Sequence, residues 1–164
     1  MADISKDTEK FTLGLDNFIN NGYVILESFE DSAGEALDYL HKLYSLDEKL
    51  GETYYKKIFE SECVYDDFLK SICFDHLLLS ENEWDYAFNY LNENSERLTV
   101  PVLKVALFYF YCAKKDKEPH PVPDDLFKKL IKRYQIVKND ESAKFYNLNE
   151  DYGCFVNAYL LDGL

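Results

Sequence analysis

The run Thr99-Val100-Pro101-Val102-Leu103-Lys104-Val105-Ala106-Leu107-Phe108-Tyr109-Phe110-Tyr111-Cys112-Ala113 decides how this chain folds. Val100 to Ala113 is a stretch of fourteen residues, apolar or aromatic throughout except for Lys104. A bilayer needs about 20 consecutive apolar residues in a helix, so the run is too short to span one. Thr99 has the chemistry of an N-cap, and Pro101 fits the first turn, where its missing N–H costs nothing. A pair of buried strands would need a turn that the run lacks. It therefore reads as a helix that is apolar on nearly every side, central to the fold and covered by other helices.

The flanking sequence supplies those helices. Ser32 with Glu35, Ser45 with Glu48 and Ser80 with Glu83 match the Ser-x-x-Glu capping box, in which serine accepts from the third amide and glutamate reaches back. Each precedes apolar residues at helical spacing: Ala33, Ala36, Leu37, Leu40 and Tyr44; then Leu50, Tyr54 and Ile58; then Trp84, Ala87, Phe88 and Leu91. A further segment runs from about Val64 to Leu79 with Phe68, Leu69, Ile72, Cys73 and Leu77 inside it. Phe11, Leu15, Phe18 and Ile19 predict an opening helix that stops at Asn20-Asn21-Gly22. Tyr23 to Leu26 fits a short strand or a turn of helix equally.

After the central run, Glu118-Pro119-His120-Pro121-Val122-Pro123 reads as a stiff extended connector. Asp124 and Asp125 open a helix with Phe127, Leu130, Ile131 and Tyr134, whose Lys128, Lys129, Lys132 and Arg133 lie later in it. Acids first and bases after suit the helix dipole. Tyr152, Phe155, Val156, Tyr159 and Leu160 mark a last element. The expected fold is all-α: one compact irregular bundle of about eight helices around the apolar helix near 100–113. Ala36 to His41 (ALDYLH) echoes Ala87 to Asn92 (AFNYLN), but with no third copy a solenoid does not follow.

Composition bounds the function. At 164 residues with 47% hydrophobic content, the chain suits one domain, 1–164, that needs no disulfide or metal to fold. Charge divides that domain unevenly. Residues 1–99 hold 22 Asp and Glu against 8 Lys and Arg, while residues 100–164 hold 9 against 10, within a total of −13. The first part is acidic and the second near-neutral. Fourteen Tyr, twelve Phe and one Trp accompany this charge. The polar, acidic start Met1 to Asp7 lacks the basic and apolar regions of a secretory peptide. Asp162-Gly163-Leu164 matches no lipidation or retention signal. Cys63, Cys73, Cys112 and Cys154 form no C-x-x-C pair, and they are expected as reduced, mostly buried thiols in a cytoplasmic protein.

No motif for chemistry stands out. Cys73 and His76 share a helix face, but zinc needs two more ligands and no second pair has suitable spacing; His76 reads as a packing or capping residue, and His120 as an exposed loop residue. Nothing resembles a nucleophile elbow, a dinucleotide fingerprint or a phosphate loop. Asp66-Asp67 and Asp124-Asp125 are adjacent pairs, turned about 100° apart on a helix and suited to helix starts. No cofactor and no metal are expected. The acidity opposes direct nucleic-acid binding, which needs cations to displace counterions. It opposes anionic membrane surfaces equally.

The acidic part offers two candidate partner-binding surfaces. Glu60, Glu62, Asp66 and Asp67 surround Tyr65. On the helix from Glu81 to Glu93, Glu83, Tyr86, Tyr90 and Glu93 lie opposite the core face. Either Tyr86 and Tyr90 form an open aromatic surface between acids, or they pack beneath a second layer with only their hydroxyls wet. Solubility alone needs far less charge than this, whereas a basic partner is steered by it. The expectation is an acidic protein-binding inhibitor of the immunity or antitoxin type, which occludes the cationic site of a basic toxin or nuclease. An α-helical adaptor that binds a peptide and an enzyme using His and Cys are the alternatives.

Overall fold

The computed structural model describes residues 3–28, 30–117 and 120–160. Among them every regular element is helical, as the periodicity predicts. The order is α1 (Ile4–Asn21), α2 (Ser32–Leu46), α3 (Glu48–Glu60), α4 (Asp67–Leu79), α5 (Trp84–Asn94), a 3₁₀ turn (Ser95–Arg97), α6 (Val100–Lys115), α7 (Asp124–Val137), α8 (Glu141–Phe145) and α9 (Leu148–Leu160). α8 is the helix that the sequence count omits; five residues are too few to display an apolar period. Tyr23 to Leu26 is neither strand nor helix but a bent segment whose Val24 is buried. The connector expected at 118–123 is described only from His120 onward, and Glu118 and Pro119 lie outside the described residues, as do Met1, Ala2 and Asp162 to Leu164. No described helix is long and apolar enough to cross a membrane.

The helix boundaries show which local acceptor wins. Gly22 ends α1 with φ 84° and donates its N–H to the Phe18 carbonyl at 2.8 Å, a left-handed geometry that glycine adopts without strain. Two of the three expected capping boxes shift. Asp31, not Ser32, caps α2 by accepting from the Gly34 N–H at 3.0 Å, and Asp47 caps α3 by accepting from Leu50 at 3.0 Å. A carboxylate is the stronger acceptor beside the positive end of a helix, and an aspartate stands within two residues of each serine. Ser45 instead donates to the His41 carbonyl one turn back. At the third box, Ser80 accepts from Asn82 in a turn, and α5 starts only at Trp84.

Internal contacts divide the chain into two units, Met1–Leu77 and Leu78–Leu164. In the first, α1 packs on α2 and α2 on α3. Leu15, Ala36, Leu40, Leu43, Tyr55, Ile58, Cys73 and Phe74 are fully buried there. A Cβ added at Gly51 would lie 2.5 Å from the Tyr44 Cα, so α2 and α3 approach as closely as they do only because residue 51 has no side chain.

In the second unit α6 packs against α9 and α7. It buries Val100, Pro101, Val102, Leu103, Ala106, Leu107, Phe110 and Ala113, while Phe108 stays 55% exposed. Truncating a fully buried side chain such as Phe110 to alanine costs about 3–5 kcal/mol. Lys104 interrupts the apolar run in order to pair with Asp151 of α9. The Tyr159 hydroxyl donates to the Phe110 carbonyl at 2.7 Å and accepts from the Val122 N–H at 3.1 Å, which pins the segment before α7 to α6 and α9. The basic residues of α7 work inside the unit: Arg133 Nε donates to the Leu98 carbonyl at 2.9 Å and Lys129 Nζ to the Asn92 carbonyl at 3.2 Å. They secure the end of α5 and the turn after it.

Candidate protein-binding site

The loop between α3 and α4 is built from its backbone outward. Ser61 ends α3, its N–H bonding back to the Ile58 carbonyl at 3.2 Å. Its carbonyl accepts from Lys70 Nζ at 2.6 Å, and its hydroxyl accepts from the Cys63 N–H at 3.2 Å. Val64 is buried and anchors the middle of the loop. Asp66 then accepts from the Leu69 N–H at 2.8 Å and starts α4. With both ends bonded and the centre buried, the loop gives up little conformational entropy when it meets a partner.

Tyr65 projects from this frame 87% exposed, with Phe68 55% exposed one turn on. Glu60, Glu62, Asp66 and Asp67 are all exposed, and residues 60–67 contain no lysine or arginine. The result is an exposed tyrosine with four exposed carboxylates within five residues of it along the chain. Burying a tyrosine excludes roughly 150 Å² from water, which at about 25 cal/mol per Å² is about 4 kcal/mol before ordering costs. Acids around such an anchor steer a cationic partner and set its orientation.

The second predicted set is arranged differently. Glu83 precedes α5 and is half-buried, Tyr86 and Tyr90 are half-buried, and Glu93 is exposed. Burial pushes the Tyr90 phenol above its ordinary range, against a smaller lowering by Arg97. Both tyrosines are thus partly covered and present less open aromatic surface than Tyr65. The two sets belong to different units: 60–67 to the first and 83–93 to the second.

Two aromatic assemblies were not visible in the sequence. In the first unit His76 stacks on Tyr55 with ring centroids 4.2 Å apart and 14° between planes, and His41 lies 5.7 Å from His76. Burial lowers the His76 pKa, and His41 lowers it further. The nearby Cys73 is fully buried, and its thiol is pushed up to about 12 by that burial, the reverse of what activates a nucleophilic thiolate. Among the described residues no three His, Cys, Asp or Glu side chains converge as metal ligands. In the second unit Trp84 donates its indole N–H to the Tyr109 hydroxyl at 2.8 Å, and His120 stacks on it at 4.1 Å. His120 is exposed, as expected of a loop residue, but it packs on a residue 36 positions away, a pairing no local pattern encodes. The expectation of mostly buried thiols is corrected: Cys63 and Cys154 are exposed, Cys112 is half-buried and only Cys73 is buried, because Cys63 falls in the loop and Cys154 on the outer side of α9.

No protein-family model matches the chain, and no curated protein matches it.

Proposed function

We propose that this chain is an acidic inhibitor of the immunity or antitoxin type, which neutralises a basic toxin or nuclease by covering its cationic site. The observation that carries the reading is Tyr65, 87% exposed on a loop bonded at both ends, in a stretch with four exposed carboxylates. The carboxylates stand where nucleic-acid phosphates would otherwise lie in the partner's cleft, and Tyr65 supplies the buried anchor. The charge distribution agrees with this: residues 1–77 carry 17 acids against 7 bases, and residues 78–164 carry 14 against 11. The partner is a basic protein, and the protein makes no direct contact with nucleic acid or membrane. The cytoplasm is its compartment, where the exposed Cys63 and Cys154 stay reduced.

Affinity capture from native lysate, at low and high salt, compares the wild type with Tyr65→Ala and with a Glu60→Gln, Glu62→Gln, Asp66→Asn, Asp67→Asn variant. Asparagine keeps the cap on α4. One basic protein, retained by the wild type at low salt and lost from both variants, is the expected result. An identical captured set from all three overturns the assignment of this surface.

A second reading, the peptide-binding adaptor, is favoured by one observation. A groove of about 660 Å³ in the first unit is lined by Lys10, Leu13, Gly14, Asn17, Val24 and Ile25, and Leu13 and Ile25 are 61% and 50% exposed. A partner lost on Leu13→Glu but kept on Tyr65→Ala decides for the adaptor.

A further inference from the structure

The second unit contains a cleft of about 700 Å³ that the acidic loop of the first unit does not use. That volume lies within the range of sites that enclose small organic molecules. Its aromatic wall is Trp84 with His120 stacked on it, set by the bond from the indole N–H to the Tyr109 hydroxyl. Its apolar floor comes from Leu78 of α4 and from Cys112 and Ala113 in the last turns of α6. The charged residues of the lining are Glu81, Asp85 and Asp116; it contains no lysine and no arginine. This absence disfavours phosphate, nucleotide and carboxylate ligands, which need a cationic partner.

Asp116 sharpens the argument. It occupies the C-cap of α6, where the helix already presents a partial negative charge and an acid is unfavourable. The two lysines of that last turn are turned to other rings: Lys114 Nζ lies 5.5 Å from the Tyr159 centroid and Lys115 Nζ 5.8 Å from that of Tyr111. At Cys112 in the lining the charge of Asp116 outweighs that of Lys115, so the helix end and Asp116 leave a net negative potential on the cleft side. Trp84 is itself stacked between Phe88 at 4.7 Å and His120 at 4.1 Å. A cation placed in the cleft therefore meets the carbonyl end of α6, the carboxylates of the lining and the exposed His120 ring rather than a face of tryptophan.

We propose that this cleft binds an organic cation, a guanidinium or protonated amine carried on an apolar stem. The head lies among Asp85, Asp116 and the Trp84–His120 wall, and the stem runs along Leu78 and Ala113. The guanidinium is the better fit, because its flat, weakly hydrated face can stack on the exposed His120 ring while its edge donates to carboxylates. Nothing in this assignment depends on the loop at 60–67.

Trp84 is the single tryptophan of the chain, so its fluorescence reports on the cleft alone. The full-length protein is titrated at pH 8 with arginine amide, with its neutral isostere citrulline amide, and with a Gly-Arg-Gly peptide blocked at both ends. Arginine amide is expected to shift Trp84 emission saturably in the millimolar range, and citrulline amide to leave it unchanged. Asp85→Asn and Asp116→Asn each weaken binding about two- to five-fold, the scale of one solvent-accessible charge pair. Tyr65→Ala leaves the titration as in the wild type. Binding of the blocked peptide identifies the ligand as a side chain of a protein. Binding of the free amide alone identifies it as a small amine. An equal response to citrulline amide, no saturable response to either arginine probe, or unchanged affinity in the doubly substituted variant overturns the proposal.

Discussion

Tyr54 and Tyr55 are neighbours on α3, both buried, yet the same substitution should shift stability in opposite directions. Tyr55 is fully inaccessible, and its hydroxyl has no hydrogen-bond partner among the described residues. In proteins a hydroxyl buried in this state costs about 1–3 kcal/mol. Tyr55→Phe deletes the oxygen, keeps the ring against His76 and leaves no cavity larger than one atom. The variant should gain about 1 kcal/mol, or about 2–4 °C in Tm for a chain of this length. The Tyr54 hydroxyl, in contrast, donates to Asp16 Oδ1 of α1 at 2.9 Å. Burial first and that carboxylate second push its phenol up to about 12. A hydrogen bond to a charged acceptor contributes about 1.5–3 kcal/mol. Asp16 is half-buried, so solvent screening brings the expected loss in Tyr54→Phe to about 1–2 kcal/mol. Paired urea denaturation curves, followed by far-UV circular dichroism with equal m-values, read the difference directly. If Tyr55→Phe loses as much stability as Tyr54→Phe, the Tyr55 hydroxyl is satisfied and the argument from its isolation fails.

Gly51→Ala should cost about 2–3 kcal/mol, because its Cβ meets the Tyr44 backbone, which cannot rotate aside; a thermal melt within a degree of wild type would contradict the close α2–α3 approach. Stability should also fall on acidification. The His76 pKa is lowered in the fold, so the unfolded chain takes up its proton first as pH drops through about 6.5, and the loss grows until the folded value is passed. Denaturation midpoints measured from pH 8 to pH 5 should show this slope reduced in His76→Gln, and an unchanged slope would assign it elsewhere. Lys104→Met leaves the largely buried Asp151 carboxylate unpaired and should lower stability by about 1–3 kcal/mol. Adding Asp151→Leu should restore most of it, and a double variant as unstable as the single one would show that the pair does not act as argued.

Regular elements followed from the sequence wherever burial imposes a period. Phe11 to Phe18 and Asp124 to Tyr134 each carry enough turns for the apolar spacing to show, Val100 to Ala113 is legible from its length and the lack of a turn within it, and Asn21-Gly22 names its own stop. The caps were misassigned: Asp31 and Asp47, rather than Ser32 and Ser45, start α2 and α3 by accepting from the Gly34 and Leu50 amides, and the outcome depends on charge beside a helix end rather than on the motif. Residues 60–67 were identifiable as a candidate because four acids and one tyrosine fall within eight consecutive residues. What the sequence lacks is the bond from Lys70 to the Ser61 carbonyl and the burial of Val64, the features that turn an acidic stretch into a fixed loop. The Trp84, Tyr109 and His120 assembly is a meeting of three elements, and nothing local distinguishes those aromatics from the chain's many others.

The treatment of cations in the two units separates the two binding arguments. In the second unit Lys129 and Arg133 of α7 donate to the carbonyls of Asn92 and Leu98, and Lys132 reaches Glu96 at 3.7 Å. A helix that reads as a basic patch is therefore occupied in closing its own unit, and it is a poor anion site. The first unit ties down the base nearest the loop in the same way, with Lys70 held by the Ser61 carbonyl. That bond does two things at once: it fixes the loop that bears Tyr65, and it turns the ammonium towards the backbone rather than towards the exposed carboxylates. Lys70→Met should accordingly loosen the loop while making the local charge more negative. If steering by charge dominates partner binding, association quickens in this variant; if the fixed presentation of Tyr65 dominates, dissociation quickens. Stopped-flow and surface-based kinetics on the captured partner measure the two rates separately. Faster dissociation is the expected outcome, since an anchor held in advance acts mainly on how long a complex survives. Unchanged dissociation together with faster association would place the binding energy in the carboxylates and remove Tyr65 from the centre of the site.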